Sequence, residues 1–160
     1  MAKSRTVTGA GVVATAVLVL LFGNQAVTEW VDHHTSANTL LGWFLRVLSW
    51  PAWIFLPRQG AANPVRDLIF SDLRAILVIL FVAVILAWVG KGVTTGGAAF
   101  VIGWAALILG AALAAFLAAF ILSNPTLLGG FTAAAAGATY GLFVGWIVGL
   151  VVASTARRGG

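Results

Sequence analysis

Apolar residues come in long blocks, and the polar residues between them set the boundaries. From about Thr8 to Val27 the chain is rich in Val, Leu and Ala and carries no charge. At about 1.5 Å per residue, a block of this length crosses a hydrocarbon core of roughly 30 Å. Three further blocks fall near residues 75–90, 98–122 and 131–153. The pattern predicts an all-α integral membrane protein forming one membrane domain. It has about four transmembrane helices, and residues 28–74 form an interfacial or loop region between the first two.

That region is heterogeneous. Thr28 to Asn38, TEWVDHHTSAN, is the most polar stretch and reads as a loop in water or against a partner. Leu40 to Leu56 is apolar but contains Arg46, and Pro51 interrupts it. Gly42, Arg46, Ser49 and Trp53 follow helical spacing and make a narrow polar stripe. Trp43, Trp50 and Trp53 sit here, and tryptophan favours the membrane–water boundary, where its ring is apolar and its N–H is wet. These features predict a Trp-rich helix lying in the membrane surface and broken near Pro51. A short fifth span or a re-entrant segment is the alternative. Pro57 to Ala62 reads as a turn. Asn63-Pro64 reads as a helix start, with Asn63 as N-cap and Pro64 in the first turn. The second span then follows Arg74 and ends near Trp88, a further interface anchor. Thr94 to Gly97 and Ser123 to Thr126 read as short connections.

Composition sharpens the picture. Of the 160 residues, 61% are hydrophobic and 8% charged, and the mean hydropathy is +1.07. Soluble domains carry about 25% charged residues. Residues 92–156 hold no charge at all, so they cannot form a solvated globular surface but suit two helices in lipid. The net charge of +5 does not indicate nucleic acid. Its excess sits at the chain ends, on Lys3, Arg5, Arg157 and Arg158, where basic residues meet headgroups. The N-terminal pattern resembles a signal peptide, but the residues after Gly23 make a poor cleavage site, so a retained span is expected. Four spans put both termini and Lys91 on one face. Counting Lys and Arg then favours that face by five to four, which places the termini in the cytoplasm of a bacterial cell.

The strongest motif is a glycine ladder. Gly137, Gly141, Gly145 and Gly149 recur every fourth residue, so they share one helix face. Each costs roughly 1 kcal/mol relative to Ala in a helix interior in water. Close approach of another helix is the physical reason to keep them, because lipid gives little hydrophobic drive and association depends on fit. Ala106, Gly110, Ala114 and Ala118 form a comparable row, and Ala111, Ala115 and Ala119 a neighbouring one. The expected result is a tight antiparallel hairpin of the third and fourth spans. The ladder also resembles the glycine zippers of oligomeric channels and ring-forming membrane subunits, which implies packing against another copy or subunit.

Candidate chemistry is sparse. Glu29, Asp32, His33 and His34 are weak candidates for a metal site, with a polar loop as the simpler reading. Arg46, Arg58, Arg66 and Arg74 suit membrane anchoring or an anionic group. The spans contain no mid-membrane charge of the kind proton-coupled transport uses. Their polar groups, Thr15, Thr139 and Tyr140, are expected to bond between helices. The chain has no cysteine, no phosphate-binding loop and no protease motif, and its two histidines lie outside the spans, which disfavours a bis-His haem. No catalytic residue, cofactor or metal is therefore assigned. The expected partners are the lipid bilayer and other membrane subunits or further copies of the chain. Two roles remain: a non-catalytic accessory or scaffold subunit of a larger membrane complex, or a small homo-oligomeric pore of holin-like or mechanosensitive-like type.

Overall fold

A computed structural model describes residues 2–56, 63–92, 96–123 and 126–158. The described residues form six α-helices and one short turn of 3-10 helix. In order these are α1 Ala2–Phe22, α2 Gln25–His34, α3 Leu40–Leu48, α4 Pro64–Val89, the turn Gly90–Gly92, α5 Gly96–Ser123 and α6 Leu127–Arg158. Three helices are long and apolar enough to cross a membrane: α4, Gly96–Ile121 within α5, and Leu127–Arg157 within α6. The apolar part of α1, Val7–Phe22, is shorter, about 24 Å of helix against a core of roughly 30 Å. The chain is thus a multi-pass membrane protein with three long candidate spans.

α5 lies between α6 on one side and α4 on the other, and α1 packs against both α4 and α6. The core runs through Val78, Val82 and Leu86 of α4, Leu107, Ala111 and Ala114 of α5, and Val144, Val148 and Val152 of α6. Apolar residues also cover the outside: Leu80 and Val84 of α4, Leu109 and Leu113 of α5, and Leu142, Trp146 and Leu150 of α6 are exposed. The faces are sorted by size more than by polarity. Most alanines and glycines at the α5–α6 contact point inward, beside Leu107, Tyr140 and the valines of α6, and many leucines point outward, as expected where the surroundings are as apolar as the interior.

Several expected boundaries move. α1 stops at Phe22 instead of running on to Val27. Gly23 follows, wedged so that a Cβ would lie 2.5 Å from the Pro51 carbonyl oxygen. Asn24 then starts a new helix, its side chain accepting from the Val27 N–H at 2.9 Å. The stretch expected to be a polar loop is therefore largely helix α2. It buries Thr28 and Val31, so its polarity marks one face and not an absence of structure. Leu40 to Leu56 is not one helix. α3 has nine residues, about 13 Å, too short to span. Thr39 caps it, accepting from the Gly42 N–H at 3.1 Å. Proline disfavours helical backbone in the residue before it, and the helix ends ahead of Pro51.

Pro64 opens α4, but Asn63 makes no side-chain cap bond; its backbone carbonyl accepts from the Asp67 N–H at 3.0 Å. α6 begins earlier than expected because Thr126 caps it, its hydroxyl accepting from the Gly129 N–H at 3.1 Å. It also runs on beyond Ala153 to Arg158. The expected turn at Pro57 to Ala62, with Arg58, lies outside the described residues, as do Thr94 and Asn124-Pro125.

Candidate functional site

The polar chemistry of the molecule gathers where α2, α3 and the segment after α3 meet the first turns of α4. Residues 50–56 have no helix to satisfy their backbone, so other groups must do so. The Trp53 N–H donates to the Gly23 carbonyl at 2.8 Å, within a short parallel bridge of Asn24 to Trp53. The Ile54 N–H donates to Asp72 Oδ1 at 2.8 Å. The Phe55 and Leu56 N–H groups both donate to Gln25 Oε1 at 3.2 Å. From α4, Arg74 Nη2 donates to the Trp50 carbonyl at 2.7 Å. One carboxylate, one amide and one guanidinium thereby fix an irregular segment against two helices, α2 and α4.

The charged side chains have specific places. Arg46 pairs with Asp32 across the α2–α3 hairpin and also donates to the Thr35 carbonyl at 3.1 Å. Glu29 accepts from Gln25 Nε2 at 2.7 Å. His34 stacks on Trp30 with ring centroids 5.1 Å apart, and its Nδ1 lies 3.0 Å from the Trp30 carbonyl. Glu29, Asp32 and His34 are thus each engaged by a separate neighbour, Gln25, Arg46 and Trp30. Among the described residues, no three His, Asp or Glu side chains come together to hold a metal ion. Arg74 lies over the Trp50 ring at 4.6 Å from its centroid and 5.5 Å from that of Phe70. Trp50 is also stacked on Tyr140, with ring centroids 5.5 Å apart, and Tyr140 is only 1% exposed.

The tryptophans expected at the interface differ in setting. Trp43 makes an edge contact with Phe143 of α6. Trp50 and Trp53 pack against the core just beyond the end of α3. Trp88 is 80% exposed near the end of α4.

The glycine row of α6 faces α5 of the same chain. A Cβ would lie 2.6 Å from Ala111 C at Gly137, 2.6 Å from Ile108 N at Gly141, 2.6 Å from Trp104 Cδ1 at Gly145 and 2.7 Å from the Phe100 carbonyl oxygen at Gly149. The order of partners, falling as the glycine number rises, makes the pair antiparallel. The row Ala106, Gly110, Ala114, Ala118 is buried, but Gly110 faces α4, where a Cβ would meet Val82 Cγ2 at 2.8 Å. The partner surface of the ladder is therefore not that row. α5 is clasped on two sides: Gly110 is turned to α4, while Phe100, Trp104, Leu107, Ile108 and Ala111 meet the glycines of α6. Inside the spans, Thr15 and Thr139 donate to carbonyls four residues back in their own helices, Gly11 and Ala135, and not across helices as expected. Bonds between helices do occur from Thr8 to the Leu86 carbonyl and from Trp104 Nε1 to the Leu142 carbonyl.

Sequence reasoning missed the Arg74–Trp50–Tyr140 stack and the bracing roles of Asp72 and Gln25. Position gave one usable signal: Arg74 is the last charge before the apolar run to Lys91. Comparison with family models, characterised proteins and solved structures finds no match.

Proposed function

We propose that this chain is a non-catalytic accessory or scaffold subunit of a larger complex in a bacterial plasma membrane. The carrying observation is the non-spanning cap of α2, α3 and residues 49–56. It is held rigidly by the bonds above, yet it exposes Leu40, Leu41, Phe55 and Leu56, with Leu40 at 83%. A braced element that presents bulky apolar side chains away from the core suits docking on a partner at the membrane surface. α3 with its tryptophans would then lie at the interface. Both termini are assigned to the cytoplasm on the basic-residue count.

The pore alternative uses the glycine row as the seam between copies. That row is occupied by α5 of the same chain, which favours the accessory reading. Native mass spectrometry on tagged protein extracted gently from its own membranes tests it. Foreign polypeptides in fixed stoichiometry are the expected result. A closed homo-oligomer with no partner would overturn the proposal, and conductance measurements would follow.

A further inference from the structure

The helices of the bundle present different heights of apolar surface to their surroundings. Exposed bulky side chains run from Val101 to Ile121 on α5 and from Leu127 to Leu150 on α6. At 1.5 Å per residue these bands are about 30 Å and about 35 Å tall, enough for a full hydrocarbon core of roughly 30 Å. The other pair is shorter. The apolar part of α1, Val7–Phe22, and the charge-free stretch of α4 between Arg74 and Lys91 are each about 24 Å long. Arg74 does not lengthen α4 by reaching outward, because its guanidinium is held by the Trp50 carbonyl and lies over the Trp50 ring.

The two short helices are neighbours, and polar groups close both of their ends. At one end the Thr8 hydroxyl of α1 donates to the Leu86 carbonyl of α4, and Lys91 is exposed just beyond. At the other end Gly23 abuts the Pro51 carbonyl. Gln25 accepts from the Phe55 and Leu56 N–H groups, and Asp72 accepts from that of Ile54. The irregular strip 50–56 therefore lies across the ends of α1 and of the apolar part of α4, with Phe55 and Leu56 exposed. Irregular backbone facing lipid does not occur within hydrocarbon, so the strip marks the edge of the core on this flank.

The long helices continue past that edge. A Cβ at Gly110 of α5 would lie 3.1 Å from the Val82 nitrogen of α4. Counting seven residues onward along the antiparallel pair sets Leu117 level with Ala75. Leu117, Phe120 and Ile121 of α5 and Leu127 and Leu128 of α6 are exposed at or beyond this level, in a stretch without charge. Leaving them in water is costlier than deforming lipid by a few ångströms.

We infer that this chain seats in a bilayer of uneven thickness: α5 and α6 take a full-depth core, and the α1–α4 flank holds a lipid surface thinned by about 6 Å, the difference between about 24 and 30 Å. The partner that fits this flank is phospholipid with short or compressed acyl chains, matched in length to the apolar stretch and bounded by polar groups at both edges. Tilting would shorten the pair further and deepen the thinning. The inference needs only the multi-pass placement and is independent of the scaffold reading.

Depth measurements on the full chain in vesicles of eighteen-carbon phosphatidylcholine test it. The chain has no cysteine of its own, so a spin label reports one position at a time. Leu117→Cys on α5 and Phe55→Cys on the strip are exposed sites at about one level, since Asp72, which holds Ile54, lies less than a turn from Ala75. Oxygen concentrates in hydrocarbon and a nickel chelate in water, so the ratio of their relaxation effects reads depth. The ratio should lie above one at Leu117→Cys and below one at Phe55→Cys. Fourteen-carbon lipid, thin everywhere, should lower it at Leu117→Cys and leave Phe55→Cys in water. Both labels in hydrocarbon would overturn the inference and make the strip re-entrant. Both in water, or the reverse order, would overturn it as well. Phe120→Cys and Leu56→Cys repeat the comparison should either first variant fail to fold.

Discussion

At the residue scale, the molecule depends on where side chains are missing as much as on where they are present. A Cβ at Gly141 would press on the backbone of Ile108 and Leu107, which cannot rotate away. Gly141→Ala should therefore destabilise the α5–α6 pair by about 1–3 kcal/mol, the usual cost of overpacking. Gly9 has nothing within 4 Å of its Cβ position, so Gly9→Ala should be neutral or stabilising by up to about 1 kcal/mol. Reversible unfolding in mixed micelles distinguishes the two; equal effects would mean that helix propensity, not contact, sets the cost. Asp72 offers a second residue-scale test. Asp72→Ala strips the Ile54 N–H of its acceptor and should cost about 1–3 kcal/mol by the same measurement. The exposed Arg46–Asp32 pair should matter far less, about 0–1 kcal/mol in a double-mutant cycle, since both side chains are partly in solvent.

At the element scale, the long helices were legible in the sequence and the short ones were not. Apolar blocks of the length of α4, α5 and α6 have few other folds available, because lipid offers no partner to an unpaired backbone. The boundary between α1 and α2 was hidden because Gly23-Asn24 lies within a stretch that, apart from Gln25, is apolar on both sides. Hydropathy averages over the pair, while backbone geometry does not. Asn24 is the discriminating residue. Asn24→Ala removes the acceptor of the Val27 N–H and should cost about 1 kcal/mol, with loss of helical protection confined to α2. Hydrogen exchange of the Gln25–Thr28 amides would show it; unchanged protection would mean that packing of Val31 alone holds the helix. The bracing of residues 50–56 was illegible for a different reason. Its acceptors, Asp72 and Gln25, are 18 and 30 positions away from the N–H groups of Ile54 and Phe55, and no periodicity encodes a contact of that kind. The small-residue rows were visible, but not that the glycines of α6 would receive the larger Phe100, Trp104 and Ile108 of α5 while Gly110 turns to α4.

At the scale of the whole molecule, the open question is one of sides. The cap 24–56 and the C-terminus lie on opposite sides of the membrane whenever α4, α5 and α6 all cross, because three crossings separate them. The N-terminus depends on α1 alone. If α1 crosses, the chain has four spans and its two ends share a side; if α1 lies along the surface or stops within the bilayer, they are opposed. Its apolar part is short by a few ångströms, but α1 packs against both α4 and α6 and buries Leu18 and Val19. A helix held in the bundle along its length is drawn across with it, and local thinning of the bilayer covers the mismatch at a fraction of a kcal/mol per ångström. Ala2→Cys and Gly160→Cys are therefore expected to react alike with an impermeant maleimide, both protected in intact cells and both labelled after lysis. The chain has no cysteine of its own, so each variant reports a single position. Labelling of Ala2→Cys but not Gly160→Cys in intact cells would reduce the count to three spans and remove the basis for placing both termini in the cytoplasm.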